Sequence, residues 1–136
     1  MMNLGTFGAV VSYGIELEKQ ALEFYNQISE QSGMPVYSKL ASQCNKRVKR
    51  LERTRRELVA EMILESISGL DSDNYVVDFE QFSIPVTSKE KAITMEKTLL
   101  MFYTDAAEKI PIREAARVFS RMASQSEQNL EELRQL

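Results

Sequence analysis

Glu18-Lys19-Gln20-Ala21-Leu22-Glu23-Phe24-Tyr25 is answered 78 residues later by Glu96-Lys97-Thr98-Leu99-Leu100-Met101-Phe102-Tyr103. A second pair follows at an offset of 82: Val36-Tyr37-Ser38-Lys39-Leu40-Ala41-Ser42-Gln43-Cys44 and Val118-Phe119-Ser120-Arg121-Met122-Ala123-Ser124-Gln125-Ser126. The offsets differ by about one helical turn, so the second unit holds one extra turn between its two segments. Two ordered pairs with conservative exchanges indicate an internal duplication of one helix–turn–helix unit. The fold predicted from it is all-α: a four-helix bundle built from two helical hairpins.

The apolar residues recur at helical spacing throughout. Helix 1 is expected over about 6–32, with Val11, Gly14, Glu18, Leu22 and Tyr25 on one face and Ser32-Gly33 as its stop. Helix 2 is expected over about 36–68, after Pro35, with a stripe of Leu40, Cys44, Arg47, Leu51, Leu58 and Met62, ending near Gly69. Residues 70–86 break the pattern. Asp71-Ser72-Asp73-Asn74 reads as a turn, Tyr75 to Phe79 as extended, and Pro85 closes the stretch. Such a long connection suits a crossover between two parallel helices of a bundle. Thr87 with Glu90 makes a capping box for helix 3, about 88–109, striped by Ala92, Glu96, Leu100, Tyr103 and Ala107. Pro111 is expected to open helix 4, about 111–135, striped by Met122, Ser126, Asn129 and Leu133. The whole, 1–136, is read as one domain.

Composition narrows the chemistry. Hydrophobic residues are 43% and charged residues 27% of the chain, as in ordinary globular proteins. The net charge of -3 argues against a dedicated nucleic-acid binder. No stretch is apolar enough for a membrane helix, and Met1 to Val11 lacks the basic start of a signal peptide. Cytoplasmic residence is the expectation. Histidine is absent, which removes the commonest general base and transition-metal ligand. The single cysteine, Cys44, excludes a disulfide within the chain, a four-cysteine metal site and a CxxC redox motif.

Each helix carries polar residues inside its apolar stripe. Helices 1 and 3 offer Glu18 and Glu96, each seven residues before a tyrosine, Tyr25 and Tyr103. Helices 2 and 4 offer Cys44 with Arg47 and Ser126 with Asn129, both at i, i+3. Burying such groups without partners costs several kcal/mol, so these eight residues are expected to converge on one internal cluster.

That pattern resembles the ferritin-like di-iron carboxylate bundles, which use a glutamate on each of two helices and Glu-x-x-His on the other two. Glu-Lys-x-x-Leu-x-Phe-Tyr and Leu/Met-Ala-Ser-Gln are similar to the rubrerythrin branch over nearly the whole chain. The resemblance implies that Glu18 and Glu96 match the two lone glutamate ligands. Cys44 and Ser126 then stand where the motif has glutamates, and Arg47 and Asn129 where it has histidines. Four of six ligand positions are thereby lost, and a guanidinium cannot ligate. The rubredoxin unit that accompanies many rubrerythrins is not among these residues. No metal or other cofactor is therefore expected; the alternative is iron held at a remodelled site by Glu18 and Glu96.

The same residues support another arrangement, in which Arg47 replaces the metal as the cation that neutralises Glu18 and Glu96, with Asn129 adding hydrogen bonds. Its competitor is a rotated helix 2 whose Arg47 reaches water. Cys44 reads as an inert buried residue rather than a reactive thiol. Tyr25 and Tyr103 read as core aromatics bonded to a carboxylate rather than radical partners of a metal. Between Cys44 and Arg56 stand seven basic residues and one acidic, a local +6 that leaves -9 elsewhere in a chain of net -3. Of these, Lys46, Lys49, Arg50, Arg53 and Arg56 share one face. That face is either solvated or a docking surface for an acidic partner, such as another copy.

The function expected is a non-catalytic, ferritin-like structural or partner-binding module, homodimeric by resemblance. The alternative is a metal-dependent oxidoreductase or peroxidase, or an iron-handling protein.

Overall fold

The computed structural model describes residues 4–58, 67–77 and 87–136, and four long helices account for most of them. Helix α1 spans Phe7–Ser32. The Thr6 hydroxyl accepts from the Ala9 amide at its start, and Gly33, at φ 67°, ends it in the left-handed conformation that glycine adopts without strain. Helix α2 spans Pro35–Glu57, α3 spans Ser88–Lys109 and α4 spans Arg113–Arg134. The Thr87 hydroxyl accepts from the Glu90 amide and caps α3 as its sequence predicts.

The helices form a four-helix bundle of two hairpins, α1 with α2 and α3 with α4. Cross-helix contacts give the directions. Glu18 meets Arg47 and Ser12 meets Arg55, so α1 and α2 run antiparallel. Tyr25 meets Glu96 and Glu18 meets Tyr103, so α1 and α3 are antiparallel too. Helices α2 and α3 therefore point the same way, and the segment between them is a crossover. From Ile67, whose amide donates to the Gly5 carbonyl, it climbs along α1 to Val77, whose carbonyl accepts from Gln20. On the way Tyr13 donates to the carbonyls of Ser72 and Tyr75, and Tyr75 donates to Asp105 of α3 at 2.7 Å.

Three boundaries differ from the sequence expectation. Helix α2 does not run to residue 68. Leu58 leaves helical geometry, and Ile67 to Leu70 lie outside any helix because their backbone bonds the chain start, Leu4 and Gly5. Met62 lies outside the described residues. Tyr75 closes a short 3-10 turn, Ser72–Tyr75, and extended backbone begins only at Val76; Phe79 and Pro85 lie outside the described residues. Pro111 does not open α4. It sits in the link, where it holds Ile110 extended, and the helix starts at Arg113.

At the lower end of the core Phe102 packs between Tyr13, Tyr75, Tyr103 and Phe119, with ring centres 5.1–6.2 Å away. Gly14 faces this ring: a Cβ there would lie 3.2 Å from Phe102 Cε2. Helices α1 and α3 approach closely at this point, and the level above it is polar.

Candidate functional site

In the middle of the bundle one layer exchanges apolar packing for hydrogen bonds. Glu18, Arg47, Glu96, Ser126 and Asn129 are buried there, Glu18 and Glu96 completely, together with Cys44, Tyr25 and Tyr103. The structure thus brings together the polar residues that interrupt the four apolar stripes. Arg47 is only 3% exposed and does not reach out to water.

The bonds are reciprocal between the two hairpins. Tyr25 of α1 donates to Glu96 Oε1 of α3 at 2.9 Å, and Tyr103 of α3 donates to Glu18 Oε1 of α1. Arg47 Nη1 donates to Glu18 Oε1 at 3.1 Å, while Asn129 Nδ2 lies 3.4 Å from Glu96 Oε2. Arg47 Nε donates to Gln125 Oε1 at 3.1 Å, and Asn129 Nδ2 donates to Gln43 Oε1 at 2.6 Å. Exchanging the hairpins maps each of these bonds onto its counterpart. Gln43 and Gln125 do not figure among the residues expected at the site. They precede Cys44 and Ser126 by one residue within the repeated Ala-Ser-Gln segment, and that shared position was the available signal.

The symmetry fails in charge. One slot holds a guanidinium and the other a neutral amide. Arg47 hydrogen-bonds Glu18 but not Glu96, on which its charge acts from farther away. Each slot residue thus bonds the glutamate of its own hairpin, and the remaining Arg47 donor, Nη2, is taken up by the Met122 carbonyl of α4 at 3.3 Å. Burial alone would lower the Arg47 pKa, but Glu18 beside it more than offsets this and holds the cation. Its Cζ also lies 5.6 Å from the Tyr103 ring centre, within cation–π range. Among the described residues Glu96 pairs with no cation. Burial raises its pKa, and the more distant Arg47 only partly opposes that shift.

Burial, reinforced by Glu96, raises the Tyr25 phenol well above its ordinary range, and burial with Glu18 does the same to Tyr103. Both phenols keep their protons and act as donors. Cys44 is raised by burial first and by Glu18 second, so its thiol stays protonated. Glu18 Oε2 and Ser126 Oγ are buried without a hydrogen-bond partner among the described residues.

A pair of iron ions needs about six carboxylate or imidazole ligands. This layer offers two carboxylates, one already bound to a cation, and no group of three or more His, Cys, Asp or Glu suited to a metal occurs among the described residues. Glu127, Glu131 and Glu132 are exposed on α4, and Glu132 is paired with Lys39 at 3.0 Å on the surface. The donor set does not fit a di-iron pair.

The basic residues lie on the outer face of α2. Lys46, Lys49, Arg53 and Arg56 are exposed and Arg50 is half-buried. Among the described residues no helix is long and apolar enough to cross a membrane. The chain matches no family model, no curated protein and no solved structure.

Proposed function

We propose that this chain is a ferritin-like, rubrerythrin-related bundle in which a salt-bridged polar cluster has replaced di-iron redox chemistry, and that it serves as a structural or partner-binding module. The observation that carries this reading is the Arg47 guanidinium bound to Glu18 in the polar layer. A buried cation there supplies the positive charge that a metal would otherwise bring, and it repels any ion drawn to the same carboxylates. The reciprocal bonding of the two hairpins and the crossover between parallel helices support descent by duplication from such a bundle. On this reading the protein is cytoplasmic and forms a homodimer, and the basic face of α2 docks an acidic surface of its partner.

Elemental analysis tests the central point. Protein purified without chelators and then incubated aerobically with ferrous iron should stay colourless and carry substoichiometric iron. Iron near two per chain would overturn the reading and favour an oxidoreductase or iron-handling site built on Glu18 and Glu96. Molar mass in solution, measured at low and high salt, tests the assembly: a dimer held by the basic face should dissociate as salt screens it.

A further inference from the structure

A cleft of about 190 Å³ opens between α2 and α4, lined by Gln43, Lys46, Arg47, Arg50, Val118, Arg121, Met122 and Gln125. We infer that it binds a small amphiphilic organic anion, a carboxylate head with a short apolar body, about ten heavy atoms in all. This goes beyond the proposed scaffold role, since it needs neither a metal nor a protein partner.

Charge is the first argument. Four of the lining residues are cations and none is an anion. Lys46, Arg50 and Arg121 form no ion pair among the described residues. A set of like charges gathered at a concave surface, with low-dielectric walls behind it, focuses a positive potential that an anion relieves. The wall also includes a guanidinium that is itself almost wholly buried, Arg47. Gln43 and Gln125 add amides that can hydrogen-bond a carboxylate.

The second argument concerns the rest of the ligand. Val118 and Met122 line the same cleft and are buried core residues. A bare inorganic anion would leave these apolar walls unused. The volume compares with the roughly 150 Å³ cavity that admits benzene, which limits the body to a single ring or a short acyl chain. Entry is favoured by the adjoining groove on α2, lined by Lys46, Lys49, Arg50, Arg53 and Arg56, with Glu52 its one acidic residue. Lys46 and Arg50 border both, so the groove leads into the cleft.

Occupancy would be sensed in the core. Arg47 and Met122 touch the ligand space, and the same two residues are joined by the Nη2 hydrogen bond beside Glu18.

The test is titration of the whole chain with octanoate, octanol and inorganic phosphate, followed by calorimetry and by the Met122 methyl resonance. Octanoate should bind one site saturably, shift the Met122 methyl and weaken as salt rises. Octanol, with the same body and no charge, and phosphate, with charge and no body, should each bind at least roughly tenfold more weakly. The double variant Arg50→Ala/Arg121→Ala alters residues at the cleft mouth and should lose octanoate affinity by a similar factor while its melting temperature stays near that of the parent. Octanol binding as tightly as octanoate, phosphate binding as tightly, an unchanged affinity in the double variant, or no octanoate binding at all would each overturn the inference. The last outcome would leave the basic face to the protein partner proposed above.

Discussion

Arg47 and Glu18 form an ion pair at 3.1 Å with both side chains removed from water. Taking two charges into a protein interior costs several kcal/mol per ion, and their attraction repays that only when the remaining hydrogen-bonding groups are satisfied. Here the guanidinium is well served, by Gln125 and Met122 besides Glu18, whereas one Glu18 oxygen has no hydrogen-bond partner among the described residues. The pair is thus a better determinant of packing register than of stability.

Removing one partner should be far worse than removing both. Arg47→Leu strands a buried carboxylate and should cost about 3–5 kcal/mol, whereas Glu18→Gln combined with Arg47→Met should recover most of that loss. Urea midpoints of the three proteins decide it. A melting temperature raised by Arg47→Leu alone would mean that the pair does not hold the core as described.

The two tyrosines should differ although their bonds are reciprocal. Tyr103 donates to the carboxylate that is ion-paired with Arg47, and a bond to a charged group is worth about 1.5–3 kcal/mol; Tyr25 donates to Glu96, whose burial favours the neutral acid and a bond of about 0.5–1.5 kcal/mol. Tyr103→Phe is therefore expected to destabilise more than Tyr25→Phe in denaturant titrations near pH 5. Equal losses would show that the two carboxylates carry the same charge.

Cys44 should be inert in the folded protein. It is buried, and burial together with the Glu18 charge raises its pKa, so thiolate is scarce at neutral pH. Alkylation by iodoacetamide at pH 8 should proceed only in denaturant. Rapid labelling of the native chain would reopen a redox role for this residue.

The bundle was legible because the signal that decides it is local and redundant. Helical periodicity, Thr87 at a helix start and Gly33 at a stop each act within a few residues, and the repeated segments doubled the evidence. The end of α2 at Glu57 was not legible, because the helical stripe continues in the sequence past it to Met62, whereas Ile67 and Leu70 bond Gly5 and Leu4, contacts between residues far apart in sequence. The membership of the polar layer could be read from stripes interrupted by Glu18, Arg47, Glu96 and Asn129. Its wiring could be read only in part. Spacing puts Glu18 and Tyr25 on one face, but only the antiparallel placement of α1 against α3 gives each tyrosine to the other helix's glutamate. The Arg47 bond to the Met122 carbonyl was equally out of reach, because backbone acceptors leave no mark in composition.

Glu96 should make stability fall as pH rises. Its folded pKa is raised, burial being the main cause, so above the ordinary carboxylate range near ~4.3 the folded chain holds a proton that the unfolded chain has lost. The contribution is complete below the unfolded pKa and disappears as pH climbs through the folded one, where the ionised group must be buried with no ion-pair partner among the described residues. Glu96→Gln removes the titration while keeping a carbonyl to accept from Tyr25; the contact it puts at risk, Asn129 at 3.4 Å, is a long one. Urea midpoints of parent and variant between pH 4 and 8 should show the variant gaining relative stability steadily with pH. If the difference is the same at every pH, Glu96 titrates alike in both states and the charge asymmetry between the two halves of the layer is not felt there.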